Sequence, residues 1–322
     1  MNNDKGEFRN VILAFGGNAI IRKDQSADIH TQFANTRQVL SGVVDLVARG
    51  AQLVIVHGNG PQVGHELIRS HSAAREVPPL PLGVLVADTE GGMGYMIQQC
   101  LQNVLWRHHL KKSVATILTQ VICDRNDPRL KEPTKPVGRF YSKEEAEFLM
   151  RVQGWTMLED AGRGWRLVVP SPKPIGIVEH EVIRLLLTTG VIVIAGGGGG
   201  IPIVIEEDGT YEGLDVVVDK DFTASLIGRS VGADTMIIAT DIDRVAINYN
   251  TPQVRYLDRV TLSEIERYLE EGHFPPGSMG PKIEASVEFL RNGGRSVIIT
   301  SPDRIREAVR GEAGTVIVRA NS

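Results

Sequence analysis

Two hydrophobic periods alternate along this chain. Short unbroken apolar runs recur between segments whose apolar residues repeat at helical spacing. The first run, Val11 to Phe15, stops at Gly16-Gly17-Asn18. Thr31 to Gly50 then reads as one helix, because Leu40, Val43, Val44 and Val47 fall at i, i+3, i+4 and i+7 and Gly50 is a stop. A second strand, Leu53 to Val56, ends at His57-Gly58-Asn59-Gly60. Pro61 suits the first turn of a helix over 61–75, where its missing N–H costs no intrahelical bond. The same patterns predict helices near 86–108, 179–189, 222–229, 262–271, 281–292 and 303–309. They predict strands at Val114 to Ile122, Val191 to Ala195, Thr235 to Ala239, Ser296 to Ile299 and Thr315 to Val318.

Short strands buried on both faces and separated by helices specify an α/β fold with a mostly parallel sheet covered on both sides. Ligands bind such sheets at the carboxyl ends of the strands. Three glycine loops fall there: Gly16-Gly17, Gly58-Asn59-Gly60 and the five consecutive glycines Gly196 to Gly200. Segment 124–174 breaks the rhythm. It is rich in charge and proline, carries one clear helix at about 142–151, and holds Trp155 and Trp165. It reads as an insertion or small subdomain over the active edge of the sheet.

Composition narrows the function classes. With 35 Lys+Arg against 39 Asp+Glu, the formal charge is −4, and the basic excess of a general nucleic-acid binder is missing. Cys100 and Cys123 cannot form a disulfide framework, which fits a reducing, cytoplasmic setting. No apolar run approaches a membrane span, and Met1 to Asn10 is polar with no signal-like core.

Glycine loops at strand ends suggest phosphate, because bare backbone N–H groups approach an anion closely and a helix N-terminus adds a favourable dipole. The phosphate-binding class is narrowed by what is missing. No Gly-Lys dipeptide occurs, which excludes a Walker A loop. Gly58-x-Gly60-x-x-x-Gly64 mimics a dinucleotide fingerprint but is one residue too long and comes second in the chain. Gly228-x-Ser230-x-Gly232 matches a nucleophile elbow, yet it ends a helix and precedes a strand, the reverse of the required order. His108 and His109 are adjacent, which is not a metal spacing, and no Cys/His cluster exists. His57 and His65 flank a glycine loop, where they could touch a ligand; they read first as satisfied structural histidines.

Lysine is scarce, ten in the chain, so its placement is informative. Lys220 lies in Asp219-Lys220-Asp221 before a helix. Lys282 lies in the first turn of another, where a cation opposes the helix dipole and calls for an anion nearby. Lys135 lies between Pro133 and Pro136 in the inserted segment. Three lysines beside glycine-rich or proline-rigid loops suit phosphoryl transfer, which needs positioning and charge neutralisation rather than a covalent nucleophile. Asp221 is placed to hold the lysines by salt bridges. No His-Arg-Asp or Asp-Phe-Gly signature of a protein kinase is present.

Several stretches together are familiar. Ala14-Phe-Gly-Gly-Asn-Ala19, His57-Gly-Asn-Gly-Pro-Gln-Val-Gly64, Pro133-Thr-Lys-Pro136, Glu159-Asp-Ala-Gly-Arg-Gly-Trp-Arg166, Val169-Pro-Ser-Pro-Lys-Pro174, Gly196 to Pro202, Val218-Asp-Lys-Asp221 and Pro276 to Met279 with Pro281-Lys282 resemble carbamate kinase, of the amino-acid kinase superfamily. The likeness runs from about Val11 to Val318, and the stretches inside 124–174 are the more specific ones. It implies one domain over 1–322, a three-layer αβα sandwich with a central, mostly parallel sheet, and a protruding lid subdomain at 124–174. It implies ATP + carbamate ⇌ ADP + carbamoyl phosphate with Mg²⁺, a homodimer, and use in making ATP from arginine or ureide catabolism.

Carried over by position, Lys135 reaches the carbamate or the transferred phosphoryl group, Lys220 and Lys282 neutralise phosphates, and Asp221 orients the lysines. Gly16, Gly17, Asn18, Gly58, Asn59 and Gly60 bind the small substrate, and Gly197, Gly198 and Gly199 border the same cleft. The nucleotide lies near Thr240, Asp243, Val245 and Tyr249, with Met279 against the base. No protein residue is assigned as a metal ligand; Mg²⁺ comes mainly with the nucleotide phosphates. Asp241 and Arg244, where the family more often has glycine and an aromatic residue, and Pro281, where a bulkier residue is common, bear on nucleotide preference. Two other readings keep the fold: an enzyme phosphorylating a different small carboxylate, and a non-catalytic relative that binds nucleotide or carbamoyl phosphate.

Overall fold

The computed structural model describes residues 8–22, 25–160, 162–275 and 277–319; residues 1–7 of the polar N-terminus lie outside the described residues. The first half of the chain runs β1 (Asn10–Phe15), α1 (Ile29–Ser41), α2 (Val44–Ala48), β2 (Gln52–His57), α3 (Gly60–Ser72), α4 (Leu82–Arg107), β3 (Val114–Thr116) and β4 (Gln120–Cys123). The inserted segment follows with β5 (Lys135–Tyr141), α5 (Lys143–Gln153), β6 (Met157–Glu159) and β7 (Trp165–Val169). Then come β8 (Pro174–Ile177), α6 (His180–Thr188), β9 (Ile192–Ile194), β10 (Ile201–Ile205), β11 (Tyr211–Gly213), α7 (Lys220–Val231) and β12 (Thr235–Ala239). The chain closes with β13 (Ala246–Ile247), β14 (Arg255–Tyr256), β15 (Arg259–Thr261), α8 (Leu262–Glu270), α9 (Met279–Arg291), β16 (Ser296–Thr300), α10 (Ile305–Val309) and β17 (Thr315–Val318).

Eight strands form the central sheet in the order β15-β17-β16-β12-β1-β2-β9-β3. The β16–β17 pair is antiparallel and every other pair in it is parallel. Alternation along β1 explains the layers. Val11, Leu13 and Phe15 enter one core with Leu40 of α1, Leu101 of α4 and Ile305 of α10. Ile12 and Ala14 enter the other core with Ile227 of α7 and Ile283 of α9. Both faces are therefore covered, giving the predicted αβα sandwich.

Two elements differ from the reading of the pattern. The single helix over Thr31 to Gly50 is broken at Gly42, where a side chain would meet Ile305 Cβ at 3.0 Å. The bare backbone there lets α10 pack in, and α2 restarts at Val44. The strand Val114 to Ile122 is also two strands. β3 stays in the central sheet, whereas β4 joins a second sheet ordered β11-β10-β4-β8. The switch centres on Thr119, whose hydroxyl donates to the Ile117 carbonyl at 2.7 Å and accepts from Gly196 N–H at 2.9 Å.

Within 124–174 the prediction gave only the helix. The structure adds an antiparallel sheet, β5-β7-β6. Its inner face forms a small third core with Val63 and Leu67 of α3 and Leu85 and Val86 of α4, flanked by Trp155 and Trp165. Helix α5 starts in a capping box formed by Ser142 and Glu145. Helix α3 and strand β5 meet backbone to backbone: a side chain on Gly64 would stand 2.0 Å from Gly138 Cα.

Candidate active site

The carboxyl ends of β1, β2, β9 and β12 open onto one cleft of roughly 750 Å³. Helices α3, α7 and α9 begin at its wall, with their N-terminal residues Gly60, Lys220 and Met279 all lining it. Three helix dipoles thus point positive ends at one space, which favours an anion.

Gly17, Gly58 and Gly198 of the glycine loops are packed too closely for a side chain. On Gly17 a Cβ would sit 2.8 Å from Gln62 Oε1, and on Gly198, at φ +69°, it would sit 2.2 Å from Asn59 Nδ2. Gly58 passes beside the Lys220 stem, its own Cβ position 3.1 Å from Lys220 Cδ. These approaches pack the β1 and β9 loops against the loop that follows β2, and that loop against the Lys220 stem. Asn59 Nδ2 donates to Thr89 on α4 at 2.9 Å, which turns its side chain into the protein. Asn18 Nδ2 donates to Asp241 at 3.3 Å, bridging the ends of β1 and β12.

The charged centre is built on Asp221, which is fully buried at the first turn of α7. Its two oxygens hold two lysines: Lys220 Nζ at 2.7 Å and Lys282 Nζ, from α9, at 3.0 Å. Asp219 caps α7 by accepting the Asp221 N–H at 3.0 Å and also pairs with Lys135 at the start of β5. Burial pushes both aspartates up, but the lysines outweigh it and hold both well below the usual carboxylate range. Burial opposes the charge on Lys282 as well, yet Asp221 and Asp219 leave its affinity for a proton raised. At Lys220 burial wins over Asp221, and its affinity for a proton is lowered.

The predicted residues divide clearly. Gly16, Gly17, Asn18, Gly58, Asn59, Gly60, Lys135, Gly198, Lys220, Asp221, Thr240, Met279 and Lys282 all line the cleft. Gly197 and Gly199 shape the loop behind it: Gly197 N–H donates to Glu90 at 2.8 Å, and the Gly199 carbonyl accepts from Thr223 at 2.7 Å. Asp243, Val245 and Tyr249 stand outside the lining. Asp243 accepts from Ser301 at 2.5 Å, Tyr249 is exposed, and Val245 is wholly inside the core with its N–H given to Thr315 at 2.8 Å.

Four contributors were not singled out from sequence: Asp219, Arg163 and Arg166 on the lining, and Glu90 behind it. Asp219 was visible as the first residue of an Asp-Lys-Asp triplet before a helix, an N-cap signal. Glu90 sits inside an amphipathic helix and carries no local signal. Its carboxylate also accepts from Thr119 N–H at 3.2 Å, and burial raises its pKa to about 8. Among the described residues no group of three His, Cys, Asp or Glu side chains could hold a metal. None of the helices there is long and apolar enough to cross a membrane.

Comparison with known proteins places this geometry. A model of the amino acid kinase family matches residues 9–301. The carbamate kinase of Thermococcus kodakarensis is 46% identical over 315 residues, 97% of this chain and 100% of the relative. A carbamate kinase-like protein of Escherichia coli, YahI, is 46% identical over 312 residues, 96% of this chain and 98% of the relative. Among solved structures, carbamate kinase from Giardia lamblia bound to AMP-PNP superposes with a TM-score of 0.88 at 40% identity, covering 97% of this chain and 99% of that one.

Proposed function

The chain belongs to the amino acid kinase family, and within it we propose that the chain is a carbamate kinase, catalysing ATP + carbamate ⇌ ADP + carbamoyl phosphate. The observation that carries the chemistry is the shared carboxylate: Asp221 holds Lys220 and Lys282 at one point between three helix N-termini. A carbamate oxygen attacks the γ-phosphorus, the bond to the β–γ bridging oxygen breaks, and ADP departs. The carbamate oxygen is already anionic, so no base has to remove a proton. What the transfer needs is charge neutralisation and alignment, and the lysine pair and the glycine-loop N–H groups supply both.

The close packing of Gly17 against Gln62 and Pro61 supports a small acceptor. Lys135 reaches the cleft from segment 124–174, which we read as a lid over 1–322, the kinase domain. We place the nucleotide beside Thr240 and Met279, which line the cleft; that this chain binds an adenine nucleotide is supported by the AMP-PNP complex of the Giardia relative. Magnesium fits this site as a companion of the nucleotide, since it commonly takes one or two carboxylates plus substrate phosphates. The nucleotide phosphates would be its main ligands, with Asp241 among the carboxylates that line the cleft. Bound there, it would neutralise phosphate charge. We place the enzyme in the cytoplasm as a homodimer, running toward ATP at the end of arginine or ureide catabolism.

The test is a coupled assay for ATP formed from ADP, Mg²⁺ and carbamoyl phosphate, with Lys220→Ala as control. Robust formation lost in the variant is expected. A folded, nucleotide-binding protein that makes no ATP would refute the acceptor, and turnover of a different acyl phosphate would identify the replacement.

A further inference from the structure

Met157, Leu167 and Val169 of the three-stranded sheet point into the small core. By strand alternation Leu158, Arg166 and Val168 stand on the opposite face, and all three line the cleft. Arg166 faces Leu158 across the β6–β7 register. The sheet therefore presents a cation between two apolar residues to the space where the small acid sits.

The guanidinium of Arg166 is only partly engaged. One nitrogen donates to the Gly138 carbonyl at 3.0 Å, and another stands 3.8 Å from an Asp160 oxygen. Asp160 is shared: Arg163 holds its other oxygen at 2.6 Å. The Phe140 ring lies under both arginines, at 5.2 Å from Arg166 and 5.3 Å from Arg163. Arg166 Nε, shielded from solvent, has no hydrogen-bond partner among the described residues. A buried donor without an acceptor is unfavourable, and an arginine presents its five N–H groups in a rigid fork suited to an oxyanion.

Resting on the reaction assigned above, we infer that Arg166 is a substrate-contacting residue whose guanidinium, on the cleft face of the sheet, binds an oxyanion of carbamoyl phosphate. The competing role is structural, because its bond to Gly138 staples β7 to β5.

Arg166→Ala and Arg166→Lys separate the two roles when calorimetry reads carbamoyl phosphate, inorganic phosphate and ADP separately on the full chain. The alanine variant is expected to bind carbamoyl phosphate about tenfold more weakly, with ADP affinity unchanged and turnover partly restored by added guanidinium. Weakened phosphate binding places the contact on the phosphoryl group; intact phosphate binding with weakened carbamoyl phosphate places it on the carbamoyl end. Unchanged affinity for both anions overturns the assignment. So does an equal loss for ADP with a lowered melting temperature, which is the staple's signature. If the alanine variant does not fold, the lysine variant, which keeps the charge and loses the fork, carries the same comparison. An unsubstituted chain that binds these anions but makes no ATP refutes the reaction and leaves the Arg166 comparison standing.

Discussion

Lys282 Nζ stands 3.0 Å from Asp221 Oδ2 although 61 positions separate them in the chain. That contact ties the first turn of α9 to the first turn of α7. Each ammonium by itself would be opposed by its own helix dipole; the buried carboxylate between them makes both positions tenable. Asp221→Asn keeps the shape and removes the charge, leaving two ammonium groups close together. We expect loss of phosphoryl transfer and destabilisation of about 3–5 kcal/mol, the usual result of breaking a buried ion pair. Urea unfolding checks this, and a loss below ~1 kcal/mol would mean that the carboxylate is not the anchor.

Lys220→Ala leaves Asp221 paired with Lys282, so the fold should survive while turnover falls roughly 10²–10³-fold, as when one oxyanion donor is removed. Steady-state rates with circular dichroism as a folding control decide it. Near-normal turnover would remove Lys220 from the reaction.

Lys135→Ala tests the inserted segment more cleanly than a deletion. The segment shares its core with α3 and α4, so excision would expose apolar surface on the body of the protein. The substitution should leave ADP affinity within about twofold and cut transfer by two orders of magnitude or more. Loss of ADP binding instead would place Lys135 in the nucleotide site.

Stability should depend on pH through two buried groups flanking Gly197. Burial raises Glu90 to about 8 and lowers His57 to about 4, from ordinary values of 4.5 and 6.5. Glu90 binds its proton more tightly folded than unfolded, so its contribution is complete below 4.5 and is lost as pH rises toward 8. His57 behaves oppositely: its contribution is complete above 6.5 and is lost as pH falls toward 4. The two slopes cancel between 4.5 and 6.5, and Glu90 acts alone from there to pH 8. Over that last window the chain should lose about 2 kcal/mol. Glu90→Gln should flatten the curve there, as read by denaturant midpoints in a pH series. An unaltered slope would show that Glu90 does not titrate in the window.

Gly198→Ala places a methyl group on Asn59 and asks a left-handed backbone to carry it. Asn59 must release Thr89, and its loop shifts. We expect weaker carbamoyl phosphate binding by about tenfold or more, with a stability loss of about 1–3 kcal/mol. Isothermal titration and thermal melts measure both, and wild-type affinity would show that the loop yields without consequence.

The layered fold and the lysine cluster were legible because local rules suffice for them. Val11 to Phe15 reads as a strand from its own composition, and Lys220 and Lys282 stand out by rarity beside helix starts. Sheet membership was not legible. Val114 to Ile122 reads as one strand interrupted only by uncharged Thr116, Thr119 and Gln120, and the bend at Thr119 depends on Gly196, far along the chain. The break at Gly42 likewise depends on Ile305. Strands β5, β6 and β7 carry charge among their apolar residues (Lys135, Arg139, Glu159, Arg166), so nothing in their own pattern reveals that one face meets α3 and the other the cleft. Arg166 was hidden for that reason. Val245 lies in an apolar stretch near a strand end, and only tertiary packing shows that its side chain turns inward.

The contact between Gly64 and Gly138 acts as a mechanical coupling. Helix α3 starts at the loop carrying Gly58 and Asn59, and β5 starts at Lys135, three residues before Gly138. With no side chain on either backbone to serve as a cushion, the inserted sheet cannot tilt inward without pressing on α3. Any swing of that sheet would either roll about this point or drag the loop of Gly58 and Asn59 along. Admission of substrate and the setting of the loop that receives it would then be two ends of one lever.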